Sequence, residues 1–319
     1  MQLAERGQLK LDEPASDIIP CLSGAGVLEG FGDDGQPIIR PARRAITLRH
    51  LLTHTVGFGY ELFNQEIVDF QSATGSPSVL TRKLGALKMP LLFDPGERWI
   101  YAINIDWAGQ MVEAVSGQSL GEYLRQNIFE PLEMNSSGYS PNGDMTARQA
   151  GMHLRSSDGE LLIPENAEPP PEREFYTGGM GLFSTMQDYA RFLGIFLNQG
   201  SHDGWQILLP DTMAMMSADQ MGENRVTPLK SVMPPHTNDV EFFPGIEKVW
   251  GLSFMFILSQ AATGRSTGSL SWAGSSNLYY WIDLARNIVG VYGTQIFPFS
   301  DKLSLPLYLD LETAVYETL

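Results

Sequence analysis

The sequence predicts an α+β fold, and three observations carry that expectation. Amphipathic helical stretches crowd the middle of the chain. Residues 249–296 are rich in β-branched and aromatic residues broken by turns. Consecutive strands joined by such short turns pair antiparallel, which gives a sheet flanked by helices beside a mostly helical region.

The opening "MQLAERG" puts Met1, Leu3 and Ala4 on one side of a short helical stretch that Gly7 stops. One or two turns are marginal alone, because nucleation is costly. "PASDIIPCLSGAGVLEGFGDDGQPIIRPARRA" reads as a Gly/Pro-rich connection. In "ITLRHLLTHTVGFGYE" Thr47 is the expected N-cap of a short helix carrying Leu48, Leu51 and Leu52, with Gly57 as its stop. A Pro-Gly turn in "LFDPGERWIYAINIDWAGQMVEAVSG" leads into a helix with Ile105, Ala108, Met111, Val112 and Val115 on one face, ended at Gly117. "SLGEYLRQNIFEPLEM" is a further helix, stopped near Pro131.

Residues 135–176, with the run "EPPPERE", read as loop, and so do residues 220–247. Between them "GGMGLFSTMQDYARFLGIFLNQG" is a turn feeding a helix, with Ser184 or Thr185 as N-cap and Tyr189, Phe192 and Phe196 inward. "VWGLSFMFIL", "GSLSWAGSS", "NLYYWIDL" and "NIVGVYGTQI" are the strands, and "LYLDLETAVYETL" is a closing helix. A sheet built from these strands alone leaves an apolar edge open, so a partner is expected for it.

The 319 residues, 43% hydrophobic and 18% charged, suffice for a sizeable globular core. No apolar run approaches the roughly 20 residues of a membrane span, and no basic segment precedes an apolar core at the start. Cys21 is the only cysteine, which excludes an internal disulfide framework and fits a reducing, cytoplasmic setting. A net charge of −16 repels nucleic acid and anionic membrane surfaces, so neither is an expected partner.

Cofactor and metal chemistry find no support. Of the five histidines only His50 and His54 share an i,i+4 spacing, without an HExxH pattern, and they read as capping or core residues. There is no GxGxxG after a strand, no GxxxxGK[ST] and no GxSxG elbow. Two segments remain. "PGERWIYAINIDWAG" places Tyr101 just before a helix with Asn104 one turn on, and "GSLSWAGSSN" places Trp272-Ala273-Gly274-Ser275 on a small-residue strand. A phenol of lowered pKa can pass protons to and from a nucleophile, and a free strand N–H can stabilise an oxyanion. Taken alone, the same residues read more readily as a helix-capping tyrosine and a packed strand.

The blocks "ERGQLKLDEP", "ITLRHLLTHTVGFGY", "DPGERWIYAINIDWAGQMVEAVSGQSLGEYLRQNIFEPLEM", "GGMGLFSTMQDYARFL" and "GSLSWAGSSN" follow one another in an order that resembles the serine β-lactamase-like superfamily. That superfamily includes class C β-lactamases, penicillin-binding proteins and their esterase relatives, and the nearest branch is that of fungal polyketide-pathway acyltransferases. The resemblance implies one β-lactamase/transpeptidase-like domain over residues 1–319. It implies a transesterase that moves an acyl group from a thioester or ester to an alcohol, without cofactor. A small-molecule donor and acceptor, with a carrier protein or polyketide synthase, are the implied partners.

By the same resemblance Tyr101 is the catalytic tyrosine and the N–H of Ser275 the oxyanion donor. Ile103 stands where β-lactamases carry asparagine, and Asn104 follows one residue later. Trp272-Ala273-Gly274 replaces Lys-Thr-Gly, which removes the cation that grips a lactam carboxylate. Asn104, Trp272, Gly274, Phe58, Tyr60 and Tyr176 are the expected substrate contacts. The family's Ser-x-x-Lys pair is absent. The nearest decoy, Thr227 to Lys230, is "TPLK" with proline at its second position. The expectation is therefore that "MQLAERG" is the tail of the nucleophile helix and that N-terminal strands completing the sheet are also missing. A carboxylesterase of the same fold and a non-catalytic binding protein are the alternatives.

Overall fold

The computed structural model describes residues 1–164 and 172–319; residues 168–171 of the "EPPPERE" run lie outside the described residues. The helices are α1 (Gln2–Glu5), α2 (Leu48–Leu52), α3 (Gln65–Thr74), α4 (Asn104–Ser116), α5 (Leu120–Leu124), α6 (Gly143–Ala147), α7 (Met186–Leu197), α8 (Pro210–Met216) and α9 (Ser304–Glu317). The strands are β1 (Gly26–Phe31), β2 (Pro37–Pro41), β3 (His153–Arg155), β4 (Leu161–Leu162), β5 (Ser201–His202), β6 (Trp205–Gln206), β7 (Lys248–Trp250), β8 (Met255–Ile257), β9 (Leu270–Gly274), β10 (Leu278–Asp283), β11 (Ile288–Gly293) and β12 (Ile296–Phe297).

The main sheet runs β11-β10-β9-β8-β7, antiparallel throughout, as strands joined by short turns require. Its two-residue alternation sorts the core into two layers. Val249, Phe256, Leu270 and Ile282 pack with Leu193 and Phe196 of α7 and Met213 and Met216 of α8. Trp250, Met255, Tyr279 and Trp281 belong to the other layer, where Tyr308 of α9 stacks on Tyr279 at 4.7 Å between ring centroids. β11 is an edge of the sheet, with no strand on its outer side among the described residues.

α4 runs as expected to Gly117, whose φ of 69° suits a residue without Cβ. Its most buried residues are Asn104, Asp106, Trp107, Ala108, Gly109 and Met111, whereas Ile105, Val112 and Val115 are half-buried. The polar first turn is therefore turned into the core, which an apolar count misses. α7 begins after Thr185, whose side chain accepts from the backbone N–H of Asp188.

Elsewhere the structure corrects the sequence reading. The Gly/Pro-rich connection contains the β1–β2 hairpin, with Gly-Asp-Asp-Gly at its turn. α2 ends at Thr53, not at Gly57. Within 135–176 there are α6, β3 and β4, the last two joined to β12. α3 and α8 were not expected, and the helix after Ser119 passes from α5 into a π-helical turn over Arg125–Phe129.

Candidate active site

The segment that carries Tyr101 is held by the chain leaving α2. Thr47 caps α2 through Oγ1, which accepts the His50 N–H at 3.2 Å, while His50 Nδ1 accepts the Thr47 N–H at 3.3 Å. His50 is thus a capping residue, as its place in the sequence suggests. Beyond α2, His54 turns into the left-handed region at φ 56°. The carbonyls of His54, Thr55 and Gly57 then accept the N–H groups of Ile100, Gly96 and Leu92 at 2.9, 2.8 and 2.7 Å. Gly57, at φ 104°, is required here because a Cβ would stand 2.4 Å from the Phe93 carbonyl oxygen. This pairing delivers Tyr101 to the mouth of α4.

The half-buried Tyr101 ring sits in an aromatic cluster. Its centroid is 4.8 Å from His54, 4.8 Å from Trp272 and 6.1 Å from Tyr60, the last stacked within 11° of parallel. Trp272 packs in turn on Trp250 at 4.6 Å and Phe242 at 5.7 Å. The two segments singled out in the sequence therefore meet. Burial pushes the Tyr101 phenol above its ordinary pKa; a hydrogen bond with the Trp272 side chain acts the other way, and the charge of Asp106 raises it further. The condition of a lowered pKa is therefore not met in this chain, since Asp106 is the one charged group acting on the phenol and it has the wrong sign.

Ser275 stands beyond the end of β9, at the start of the 275–277 turn, rather than on the strand. It is exposed, and its N–H makes no hydrogen bond among the described residues. Gly274 pairs with Leu278 across the ladder, and a Cβ on it would come within 3.2 Å of the Leu278 side chain. Asn104 is 0% exposed, with Nδ2 3.0 Å from His54 Nδ1, while its Oδ1 is buried without a partner among the described residues. Phe58 stacks on Trp107 at 6.2 Å rather than on Tyr101. Tyr176 lies on another flank, against Tyr139 at 4.9 Å and under the Arg173 guanidinium at 4.9 Å, and is not brought to the Tyr101 group.

Two polar residues of the site are not legible in the sequence. His54 is 1% exposed, and burial drops its pKa to about 3, so the imidazole is neutral. Asp106 is raised to about 6 by burial, while the N–H groups of Gly179, at 3.0 Å, and Gly178 donate to it. A Cβ on Gly178 would stand 2.2 Å from the Ile105 carbonyl oxygen, so the double glycine lets the 177–181 loop close on α4. That Gly-Gly pair was the only signal, and in the sequence it read simply as a turn. Among the described residues no group of three or more His, Cys, Asp or Glu side chains is placed to hold a metal ion.

A hydroxyl-bearing phenol, a free backbone N–H and an apolar aromatic wall are components of acyl-transfer chemistry. Residues 1–314 match the Beta-lactamase family model. The chain is 32% identical over 327 residues to the monacolin J acid methylbutanoyltransferase of Aspergillus terreus, covering 99% of this chain and 78% of that protein. It is 29% identical to the lovastatin esterase of Penicillium rubens, covering 99% of this chain and 81% of that one. Among solved structures, the unliganded simvastatin synthase from Aspergillus terreus superposes with a TM-score of 0.83 at 30% identity, over 99% of this chain and 80% of that chain.

Proposed function

The chain belongs to the beta-lactamase family, and from that premise we propose that its aromatic cluster moves an acyl group from a thioester or ester to an alcohol in polyketide metabolism. The observation that carries the reading is the meeting of Tyr101 with Trp272, 4.8 Å apart, on the strand that leads into the turn at Ser275. In the first half-reaction a hydroxyl oxygen attacks the acyl carbonyl, its proton passes through Tyr101 to the departing thiolate or alkoxide, and an acyl-enzyme forms. In the second, the acceptor alcohol attacks the acyl-enzyme, its proton passes through Tyr101 to the departing enzyme oxygen, and the new ester and the free hydroxyl are released. The Ser275 N–H faces the negative oxygen of both tetrahedral intermediates.

Tyr101 is protonated at neutral pH, so it serves as an acid unaided and needs a nearby cation to serve as a base. The family's lysine is such a cation. No Ser-x-x-Lys occurs in these 319 residues, so the attacking hydroxyl and its lysine are what the test must supply. Trp272 and Tyr60 flank Tyr101 directly, with Gly274 on the same strand as Trp272 and Phe58 and Asn104 buried behind the site. The absence of a Lys-Thr-Gly lysine argues against a lactam carboxylate as ligand. A methylbutanoyl thioester as donor and a polyketide alcohol such as monacolin J acid as acceptor are the substrates to try, with a carrier protein as donor in the host. The lone, exposed Cys21 suits a reducing cytoplasm. Water as acceptor makes the same site an esterase, and the likeness to lovastatin esterase supports that second reading.

The test extends the chain upstream with a helix bearing Ser-x-x-Lys and follows ester formation and intact mass. A mass increment of one acyl group and transfer to the alcohol are expected. The 319-residue chain alone is expected to show no burst with an activated ester and no fluorophosphonate label. No acyl-enzyme in the extended chain defeats the reading, and labelling of the unextended chain shows a nucleophile elsewhere.

A further inference from the structure

We propose that His54 is the positioning residue for Tyr101, holding the phenol in one orientation through contacts on both sides of it rather than by carrying a proton. The inference rests on the reading that Tyr101 moves the proton, and it names what aims it.

Three contacts converge on the one residue. Before Tyr101, the His54 carbonyl accepts the Ile100 N–H at 2.9 Å. At Tyr101 itself, the imidazole lies 4.8 Å from the phenol ring, tilted by 46°. After it, His54 Nδ1 is 3.0 Å from Asn104 Nδ2, at the first residue of α4. The far side of the imidazole meets Trp250 edge-on at 5.0 Å, and Trp250 packs on Trp272, another member of the Tyr101 cluster. The His54 main chain therefore braces the backbone ahead of the tyrosine, while its side chain braces the ring, the helix behind it and the Trp250 indole.

The backbone of His54 is itself held off the common path. A non-glycine residue at φ 56° carries local strain, and such residues persist where surrounding contacts over-determine them. Burial keeps the ring neutral, so it offers Asn104 an uncharged acceptor at any ordinary pH. Histidine answers all these demands together: an acceptor one bond from Cγ, a flat face for Tyr101 and an edge for Trp250. An aliphatic residue supplies none of the directional contacts.

The test uses the 319-residue chain with 3-fluorotyrosine incorporated and reads the Tyr101 resonance by 19F NMR, identified by its loss in Tyr101→Phe. His54→Gly keeps the left-handed backbone and the bond to Ile100 but removes the side chain. His54→Asn tolerates the same φ and returns a polar atom to the place of Nδ1. The wild type is expected to give one sharp Tyr101 line. His54→Gly is expected to shift and broaden it while the other tyrosine lines hold, and His54→Asn to restore most of its sharpness. An unmoved Tyr101 line in His54→Gly, with the rest of the spectrum native, overturns the proposal. If His54→Gly fails to fold, His54→Asn and His54→Gln decide it: an unmoved line in both overturns the proposal, and a line that moves in Gln and returns in Asn supports it.

In the chain extended by the Ser-x-x-Lys helix, the same variants are expected to lower kcat about 10- to 100-fold in Gly, with KM within twofold, and to recover most of it in Asn. A KM rise with kcat unchanged assigns His54 to the pocket wall and overturns the proposal. The NMR arm needs no turnover, so it is independent of the acyl-transfer reading. That reading fails separately, if Tyr101→Phe leaves turnover unchanged.

Discussion

Beneath the sheet, Arg265 and Glu312 are each 0% exposed, yet each answers the other: Arg265 Nε donates to Glu312 at 3.0 Å, its Nη2 donates to Tyr308 and Glu312, and Phe243 packs 4.8 Å from the guanidinium. At the mouth of α4, His54, Asn104 and Asp106 are as deeply buried, but no opposite charge meets them. There burial holds single groups towards their neutral forms and one backbone is left-handed; a buried atom without a partner among the described residues occurs in both regions, Asn104 Oδ1 here and Arg265 Nη1 there. The first region ties α9 to the sheet. The second spends stability on orientation, which is the pattern of a site shaped for chemistry.

The largest effect separates these two kinds of burial. Glu312→Leu leaves the Arg265 charge uncompensated in the core and is expected to destabilise the chain by about 3–5 kcal/mol in urea unfolding. Adding Arg265→Met to it removes both charges and is expected to return most of that loss. If the double variant is no more stable than the single one, the pair is not the coupled unit described here.

Next in size is a pH effect peculiar to the second region. Asp106 titrates near 6 in the folded chain and near 3.8 when unfolded, so its contribution is present below about pH 4 and is lost as pH rises through 6. A shift of two units corresponds to about 3 kcal/mol. His54 slopes the other way: its folded pKa of about 3 lies below the ordinary 6.5, so stability gained above pH 6.5 is lost as pH falls towards 3. Both slopes overlap in the wild type, and Asp106→Asn removes only one. Unfolding midpoints from pH 4 to 7.5 are expected to show the Asn variant gaining on the wild type by about 3 kcal/mol across that window. A constant difference returns Asp106 to an ordinary exposed carboxylate.

How far the sequence discloses each region follows from what each depends on. The β9 and β10 strands, the end of α4 at Gly117 and the cap of α7 at Thr185 rest on local signals, and these were legible, whereas "VWGLSFMFIL", read as one strand, is β7 and β8, and "NIVGVYGTQI", read as one, is β11 and β12. The meeting of Tyr101 with the Trp272 strand was legible too, through the order of motif blocks. The β1–β2 hairpin was not, because Gly30 and the prolines at both ends of β2 interrupt its alternation. His54 and Asp106 were hidden for another reason: nothing local distinguishes a buried polar residue from an exposed one. Their roles come from α2 and α4 folding against each other and from the Gly178–Gly179 loop closing over the helix. Tyr176 shows the converse, an aromatic residue near glycines that the fold sends to Tyr139.

Tyr101→Phe tests the chemistry without disturbing the packing. In the chain extended by the Ser-x-x-Lys helix, turnover is expected to fall roughly 10²-fold, about 2.7 kcal/mol on the barrier, with the unfolding midpoint nearly unmoved. The ring still meets His54, Tyr60 and Trp272, and only the hydroxyl is gone. A fall in stability with turnover intact places Tyr101 with Arg265 and Glu312, as a residue of structure.

The smallest effect asks whether α2 or the contacts beyond it carry the orientation of Tyr101. α2 has only five residues, so its N-terminal bond from His50 N–H to Thr47 Oγ1 matters to the helix, and Thr47→Ala is expected to cost about 1 kcal/mol in thermal or urea unfolding. His54 lies one residue past the Thr53 C-cap and its N–H donates to the Leu51 carbonyl of α2 at 3.3 Å, but its carbonyl and imidazole are held by Ile100, Asn104 and Trp250, outside that helix. The Tyr101 fluorine line is therefore expected to stay in place in Thr47→Ala even as the midpoint falls. Movement of that line by the cap alone shows that the cluster inherits its geometry from the helix, and that stability and orientation in this region are a single quantity.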